Sequence, residues 1–306
     1  MPVKLCALLV LLYVPDAYAW GLQTHVFLAH YALAAVPLAD PEWRAAAQAL
    51  PRVVLAGACL PDLAIVGRFF LRSPVFRRSH LWATLRRIAA SPGSDYDRAL
   101  ALGYATHLLS DVVAHNEFVP EHEARIGRTA MIGHLVSEWA MDDWLRQKLG
   151  AADVLEEAGA HAVQFVARAF RCDEAFARRA LGVLMRGDRA LRASPAPMMC
   201  RAVLAMLVRR CEHRFGVYLG KTTRVLGAVE TALAGGFEDW SGLDPEGGQG
   251  DGGADCRPGE HIARIVQAEH HARSRGEHGE RDQDERKIRI VRAGHEGERH
   301  RVKRVA

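Results

Sequence analysis

Histidines and carboxylates recur along this 306-residue chain at spacings that suit metal binding. One stretch reads Tyr104-Ala-Thr-His107-Leu-Leu-Ser-Asp111-Val-Val-Ala-His115-Asn116. Residues four apart in an α-helix differ by only about 40° in direction, so His107, Asp111 and His115 share a face. Leu108, Leu109, Val112 and Val113 between them make that helix largely buried, and a buried ionised Asp is costly unless paired or metal-bound. For this helix alone, a metal cradle and a hydrogen-bonded His–Asp network remain equally open. A second stretch, Gly133-His134-Leu-Val-Ser-Glu138-Trp139, again sets two ligand types four apart. Alone it also fits a solvated side-chain pair; beside the first it offers a second set from the next helix.

The third stretch is Trp20-Gly-Leu-Gln-Thr-His25. It follows Lys4, the apolar run Cys6–Val14 and Ala17-Tyr18-Ala19, the pattern of an export signal with a small-residue cleavage site. The run is too short to span a bilayer, which needs about 20 apolar residues. Cleavage after Ala19 predicts an exported protein with Trp20 at its N-terminus. Its amine, with an ordinary pKa of about 8, becomes a ligand once deprotonated, and its carbonyl completes a chelate. Asp62 after Pro61, and His80 in Ser79-His80-Leu-Trp82, are the remaining candidates. Either alone reads as a turn or surface group, and their place in the order raises them.

Apolar residues recur at helical spacing almost throughout, and alternating strand-like runs are nearly absent. The fold expected is all-α: a single multi-helix domain over 20–240. Helices are predicted over Thr24–Val36, Pro41–Leu50, Pro74–Ala90, Tyr96–His115, Arg128–Leu149, Ala152–Phe170, Asp173–Met185, Pro197–Leu219 and Thr222–Leu233. Asp40 before Pro41 is an N-cap signal, Gly150 is read as a left-handed C-cap, and Ser91-Pro-Gly-Ser94 as a break. From Ser241 to Ala306 there is no Phe, Tyr or Trp, so 241–306 is expected to be a disordered tail. The net charge of +4 points to no particular partner. Cleavage leaves five cysteines, an odd number, none in a C-x-x-C arrangement.

The ordered set Trp20, His25, Asp62, His80, His107, Asp111, His115, His134 and Glu138 resembles the zinc-dependent phospholipase C family. It is also similar to the related single-strand-specific fungal nucleases and to the amino-terminal domain of glycosylphosphatidylinositol-specific phospholipase D. The resemblance implies three zinc ions. Trp20, His25 and Asp111 would hold one; Asp62, His80, His107 and a bridging Asp111 would hold its neighbour; His115, His134 and Glu138 would hold the third. His115 follows Asp111 by four residues where family phospholipases C and nucleases have six, a spacing that resembles the phospholipase D branch. His122 is the fallback ligand for the third site.

The activity implied is phosphodiester hydrolysis by metal-activated hydroxide, with Asp111 at the centre and Asp62 orienting or deprotonating the water. A phospholipid head-group ester is the expected substrate. Phe69, Phe70, Leu71, Val75 and Phe76, among Arg68, Arg72, Arg77 and Arg78, either rest on a lipid surface or pack as an ordinary amphipathic segment. Single-stranded nucleic acid is the enzymatic alternative, with Trp82, Trp139, Trp144 and Tyr104 as stacking platforms. A non-catalytic, zinc-stabilised binding module is the other, and no obligate protein partner is evident.

Overall fold

The computed structural model describes residues 21–126, 130–238 and 245, with backbone alone for 130–132. Trp20, the segment 1–19 and the tail, Pro245 apart, lie outside the described residues. The α-helices of five or more residues are α1 (Leu22–Ala35), α2 (Pro41–Ala49), α3 (Pro51–Gly57), α4 (Trp82–Ala89), α5 (Asp95–Val113), α6 (Val119–Ile126), α7 (Ala130–Leu145), α8 (Ala151–Phe170), α9 (Glu174–Ala193), α10 (Ala196–Leu207), α11 (Cys211–Val225) and α12 (Val229–Leu233). No strand occurs among the described residues, and no described helix is long and apolar enough to cross a membrane.

α5 is the axle. Ser94 caps it by accepting from the Asp97 N–H, and Asp95 and Asp97 place negative charge in its first turn. From Ala99 to Val113 every residue is buried, as expected of a helix enclosed on all sides. α1, α2, α3, α4, α11 and α12 all pack against it. α3 comes closest, because glycines meet at the crossing. A Cβ on Gly103 would lie 1.9 Å from the Val54 carbonyl oxygen, and one on Gly57 2.2 Å from that of Leu100. Glycine inside a helix costs about 1 kcal/mol relative to alanine; here it lets two backbones touch.

A second layer pairs α8 with α9 and α10 with α7. α7 carries His134 and Glu138, so the α10 contact supports one wall of the candidate site.

Several boundaries differ from the sequence expectation. The Asp40 cap holds: its carboxylate accepts from the N–H groups of Glu42 and Trp43. Gly150 does not close a helix. α7 ends at Leu145 and Arg146 takes the left-handed turn at φ 51°, while Gly150 is extended and begins α8, its N–H donating to Asp153. The Pro197–Leu219 helix breaks into α10 and α11 at Arg210, φ 58°. The Pro74–Ala90 helix is a 3-10 turn (Pro74–Phe76), a turn through His80, then α4. α3 and α6 were not anticipated, and π-helical turns occupy Val66–Phe70 and Ala114–Phe118.

Candidate metal centre

The rings of His80 and His107 are fixed from behind. His107 Nδ1 lies 2.7 Å from the Ala58 carbonyl oxygen. A carbonyl only accepts, so Nδ1 carries a proton, and in the neutral ring Nε2 presents a lone pair. The Ala58 carbonyl is within reach because the Gly57–Gly103 crossing draws α3 onto α5. The Ser79 hydroxyl donates to the Pro61 carbonyl at 2.6 Å, which uses its one proton, so it accepts from His80 Nδ1 at 3.2 Å. His80 Nε2 is therefore also a lone pair. The Tyr104 hydroxyl donates to the Ser79 carbonyl and pins this turn to α5.

Those two Nε2 atoms face each other at 3.2 Å. Asp111 Oδ2 is 2.9 Å from His107 Nε2 and 3.4 Å from His80 Nε2, and Asp62 Oδ1 is 3.9 Å from His80. The other oxygen of Asp111, Oδ1, lies 3.3 Å from His25 Nε2. The His25 ring stacks on His107 with centroids 3.6 Å apart. His25, Asp62, His80, His107 and Asp111 are all buried.

Acceptors that converge in a buried site are satisfied by shared protons or by a cation between them. Zinc–nitrogen bonds of about 2.0–2.1 Å at tetrahedral angles put neighbouring ligand atoms about 3.3 Å apart. The observed 2.9–3.4 Å separations match that edge. Rear N–H groups held by a carbonyl and a hydroxyl are what metal-ligating histidines commonly show. The residues present therefore fit a divalent metal, and Asp111 directs one oxygen toward each of two positions. Among the described residues, two groups of potential ligands converge within 4.8 Å: His25–His107–Asp111 and Asp62–His80–His107.

The electrostatics agree. Burial, reinforced by Asp111 and Asp142 and opposed by His107, raises Asp62 to about 7. Burial, with Asp62, Asp111 and Asp142 adding, holds Glu138 well above the usual carboxylate range. Burial and then His107 push His80 well below the ordinary histidine value. Burial also pulls on His107, but Asp111 and Asp62 outweigh it and leave His107 raised. Clustered buried carboxylates resist ionisation until positive charge arrives.

His115, His134 and Glu138 also come together, more loosely. His134 Nε2 is 2.7 Å from Glu138 Oε1, and the His115 and His134 ring centroids are 5.2 Å apart. Glu123 Oε1 stands 3.7 Å from His134 Nδ1. His115 sits on the π-helical turn that ends α5. Burial, then His134, His80 and His107, drive its pKa well down. His122, the fallback ligand, bonds the Phe118 carbonyl through Nδ1, and its ring lies among Phe118, Phe215 and Tyr218. Trp20 lies outside the described residues.

The sequence did not reveal Asp142. α1 begins at Gly21, which has no side chain to cap it. Asp142, one turn beyond Glu138, supplies the cap: its Oδ1 accepts from the Thr24 N–H at 2.9 Å and the Thr24 hydroxyl at 2.7 Å, and the Gln23 N–H donates to it as well. A Cβ on Gly21 would strike the Asp142 carboxylate. Asp142 thus fixes the helix that carries His25. The spacing Glu138–Asp142 was the one available signal. Gln23 is held in turn by Asp188, its Nε2 donating to Oδ1 at 2.6 Å.

A cavity of about 810 Å³ opens beside the cluster, and its wall includes Gly21, Asp62 and Glu138. Ile65, Val66, Phe69, Phe70, Leu135 and Trp139 make much of the rest apolar. The model of a family described as zinc-dependent phospholipase C matches residues 24–183. The chain belongs to the zinc-dependent phospholipase C family. No curated protein and no solved structure matches it. Membership supports zinc as the metal and phospholipid as the substrate class. The matched span carries every candidate ligand of the zinc-dependent phospholipase C centre except Trp20.

Proposed function

We propose that this chain hydrolyses the head-group phosphodiester of a phospholipid in the manner of a phospholipase C. His25, Asp111 and the amine and carbonyl of Trp20 would hold one zinc. Asp62, His80, His107 and the same Asp111 would hold the second, and His115, His134 and Glu138 a third. Export and cleavage after Ala19 belong to this reading, because they create the Trp20 amine, and Gly21 on the cavity wall supports it. The catalytic domain is 20–240.

Bound zinc supplies charge neutralisation at the phosphate and acidifies water at neutral pH. The protein's own groups do the rest. Asp111 offers Oδ1 on the His25 side and Oδ2 on the His80–His107 side, and would serve both metals. Asp62 lines the cavity and orients the attacking water, taking up its proton as the oxygen bonds to phosphorus. The bond between phosphorus and the glycerol oxygen breaks, and the leaving diacylglycerol oxygen takes a proton from solvent water while Asp62 releases to solvent the one it took up. The apolar wall excludes bulk water and receives acyl chains.

The split of the Asp111 carboxylate between His25 and the His80–His107 pair carries this reading. Nucleic acid finds less support. Trp82 and Tyr104 are buried in the core and Trp144 packs on Phe215, which leaves Trp139 on the cavity wall. Purified protein incubated in parallel with phosphatidylcholine, phosphatidylinositol and single-stranded DNA tests the proposal. Phosphorylated head group should be released, turnover should vanish on exhaustive chelation, and added zinc should restore it. Turnover that survives chelation, or cleavage confined to DNA, contradicts it.

A further inference from the structure

α10 is apolar on two sides. Of its twelve residues, Ala196-Pro-Met-Met-Cys-Arg-Ala-Val-Leu-Ala-Met-Leu, one is charged. Cys200 and Leu204, with Val208 just beyond, are buried and turn toward α7. At about 100° per residue, Met198, Met199, Ala202, Val203, Met206 and Leu207 cover the opposite arc of about 180°. All six are exposed, Met206 to 77% and Met199 to 58%. The lone Arg201 is drawn aside into ion pairs with Asp143 and Glu212. A helix that is apolar all round normally lies buried, so this outer face is unusual for a water-exposed surface.

The face joins the cavity. Met198 lines it from α10, and Phe70, 64% exposed, lines it from the Val66–Phe70 π-helical turn. Arginines stand on the cavity wall, beside Phe69–Phe70 and at the far end of α10. Arg68 and Arg72 flank Phe69–Phe70, Arg209 and Arg210 follow α10, and Arg146 and Arg186 lie on the cavity wall; all are exposed. Phe76, by contrast, is buried and packs on Phe170 and Phe176, so the aromatic segment divides between core and rim.

We infer that the outer face of α10 and the Phe69–Phe70 turn form a seat for an anionic phospholipid bilayer, around the mouth of the catalytic cavity. The inference rests on the phospholipase reading for what enters the cavity, but the seat itself is a separate property. Apolar side chains flanked by arginine fit a surface of acyl chains beneath anionic phosphates. Methionine is flexible and polarisable enough to conform to disordered chains. A twofold contact with a second copy is disfavoured, because it would bring the same exposed arginines face to face. Seated this way, a lipid passes from bilayer to cavity without exposing its chains to water.

The test is the quadruple variant Met199→Ser, Val203→Ser, Met206→Ser, Leu207→Ser in the full chain, none of whose sites lines the cavity. Two quantities are measured: partitioning onto vesicles of phosphatidylcholine with phosphatidylserine, and turnover of dihexanoylphosphatidylcholine below its micellar concentration. Partitioning should fall roughly tenfold or more while turnover of the dispersed lipid stays within about twofold. Arg68→Glu with Arg72→Glu, which leaves α10 intact, should weaken binding to the anionic vesicles and spare binding to pure phosphatidylcholine. Unchanged partitioning in both variants overturns the seat. So does a wild-type dimer in solution that the quadruple variant converts to monomer. Partitioning needs no turnover, so a chain that seats on vesicles yet cleaves no lipid would fail the catalytic proposal and keep this one.

Discussion

The two halves of the candidate centre are built to different tolerances. Around Asp111, each imidazole of the His80–His107 pair is held from behind, by the Ala58 carbonyl and the Ser79 hydroxyl, and those supports are locked by Tyr104 and by the Gly57–Gly103 crossing. Around His134, the ligands come from a π-helical turn and from a helix whose described residues begin at Ala130. Glu123 stands 3.7 Å from that ring, farther than the carbonyl and hydroxyl behind His107 and His80. Rings oriented before the metal arrives need less reorganisation to bind it, so the difference in support should become a difference in affinity. The paired positions should fill first and empty last.

The sharpest way to break that contrast is Gly103→Ala. The added methyl would lie 1.9 Å from the Val54 carbonyl oxygen, and backbone has to move. The gain in helix propensity of about 1 kcal/mol is smaller than the overpacking cost, so a net loss of about 2 kcal/mol is expected by chemical denaturation. Affinity at the paired positions should fall with it, because Ala58 leaves His107. An unchanged midpoint would mean that the crossing does not hold the ring.

A smaller and more local change sharpens the same comparison. Tyr104→Phe removes the hydroxyl that pins Ser79, and zinc affinity at the paired positions should drop about 10- to 100-fold, the range typical of lost outer supports. Glu123→Gln should change the third position by less. Competition with a coloured chelator measures both. Equal effects would erase the distinction.

The smallest expected effect is a dependence on pH. Asp62 and Asp142 titrate at about 7 in the folded, metal-free chain, Glu138 lies well above the usual carboxylate range and His107 is raised. Above about pH 6.5 the unfolded chain has released these protons and the folded chain still holds them, so stability must fall as pH rises through about 7. Below about 6.5, His80, His115 and His122, whose pKa values are depressed, pull the other way and offset the carboxylates. Zinc affinity should rise over the same interval, because its ligands bind deprotonated. Melting temperatures with chelator and with zinc should therefore diverge between about pH 6.5 and 7.5.

Local signals in the sequence were legible, and distant ones were not. The all-α fold and the Asp40–Pro41 cap follow from helical spacing and from a proline that needs no N–H donor. His107 with Asp111, and His134 with Glu138, share helix faces four residues apart, so their neighbourhood could be read directly. Asp142 could not, since its partner Thr24 is 118 residues away. Gly150 misled because the left-handed turn fell to Arg146, a residue type with no preference for it. The same cause hid the break at Arg210. The π-helical turn at Ala114–Phe118 leaves no mark in a 3.6-residue period, so the turn of His115 toward His134 was invisible. The aromatic segment before His80 left two readings open because exposure separates Phe70 from Phe76, and spacing does not encode exposure.

Metal content of Asp111→Ala, measured beside wild type and Glu138→Ala on the processed chain, probes the shared carboxylate most directly. Removing Asp111 should empty two positions together and leave the third filled, whereas removing Glu138 should empty one. Loss of a single zinc from Asp111→Ala, or of none, would contradict a carboxylate that serves two ions.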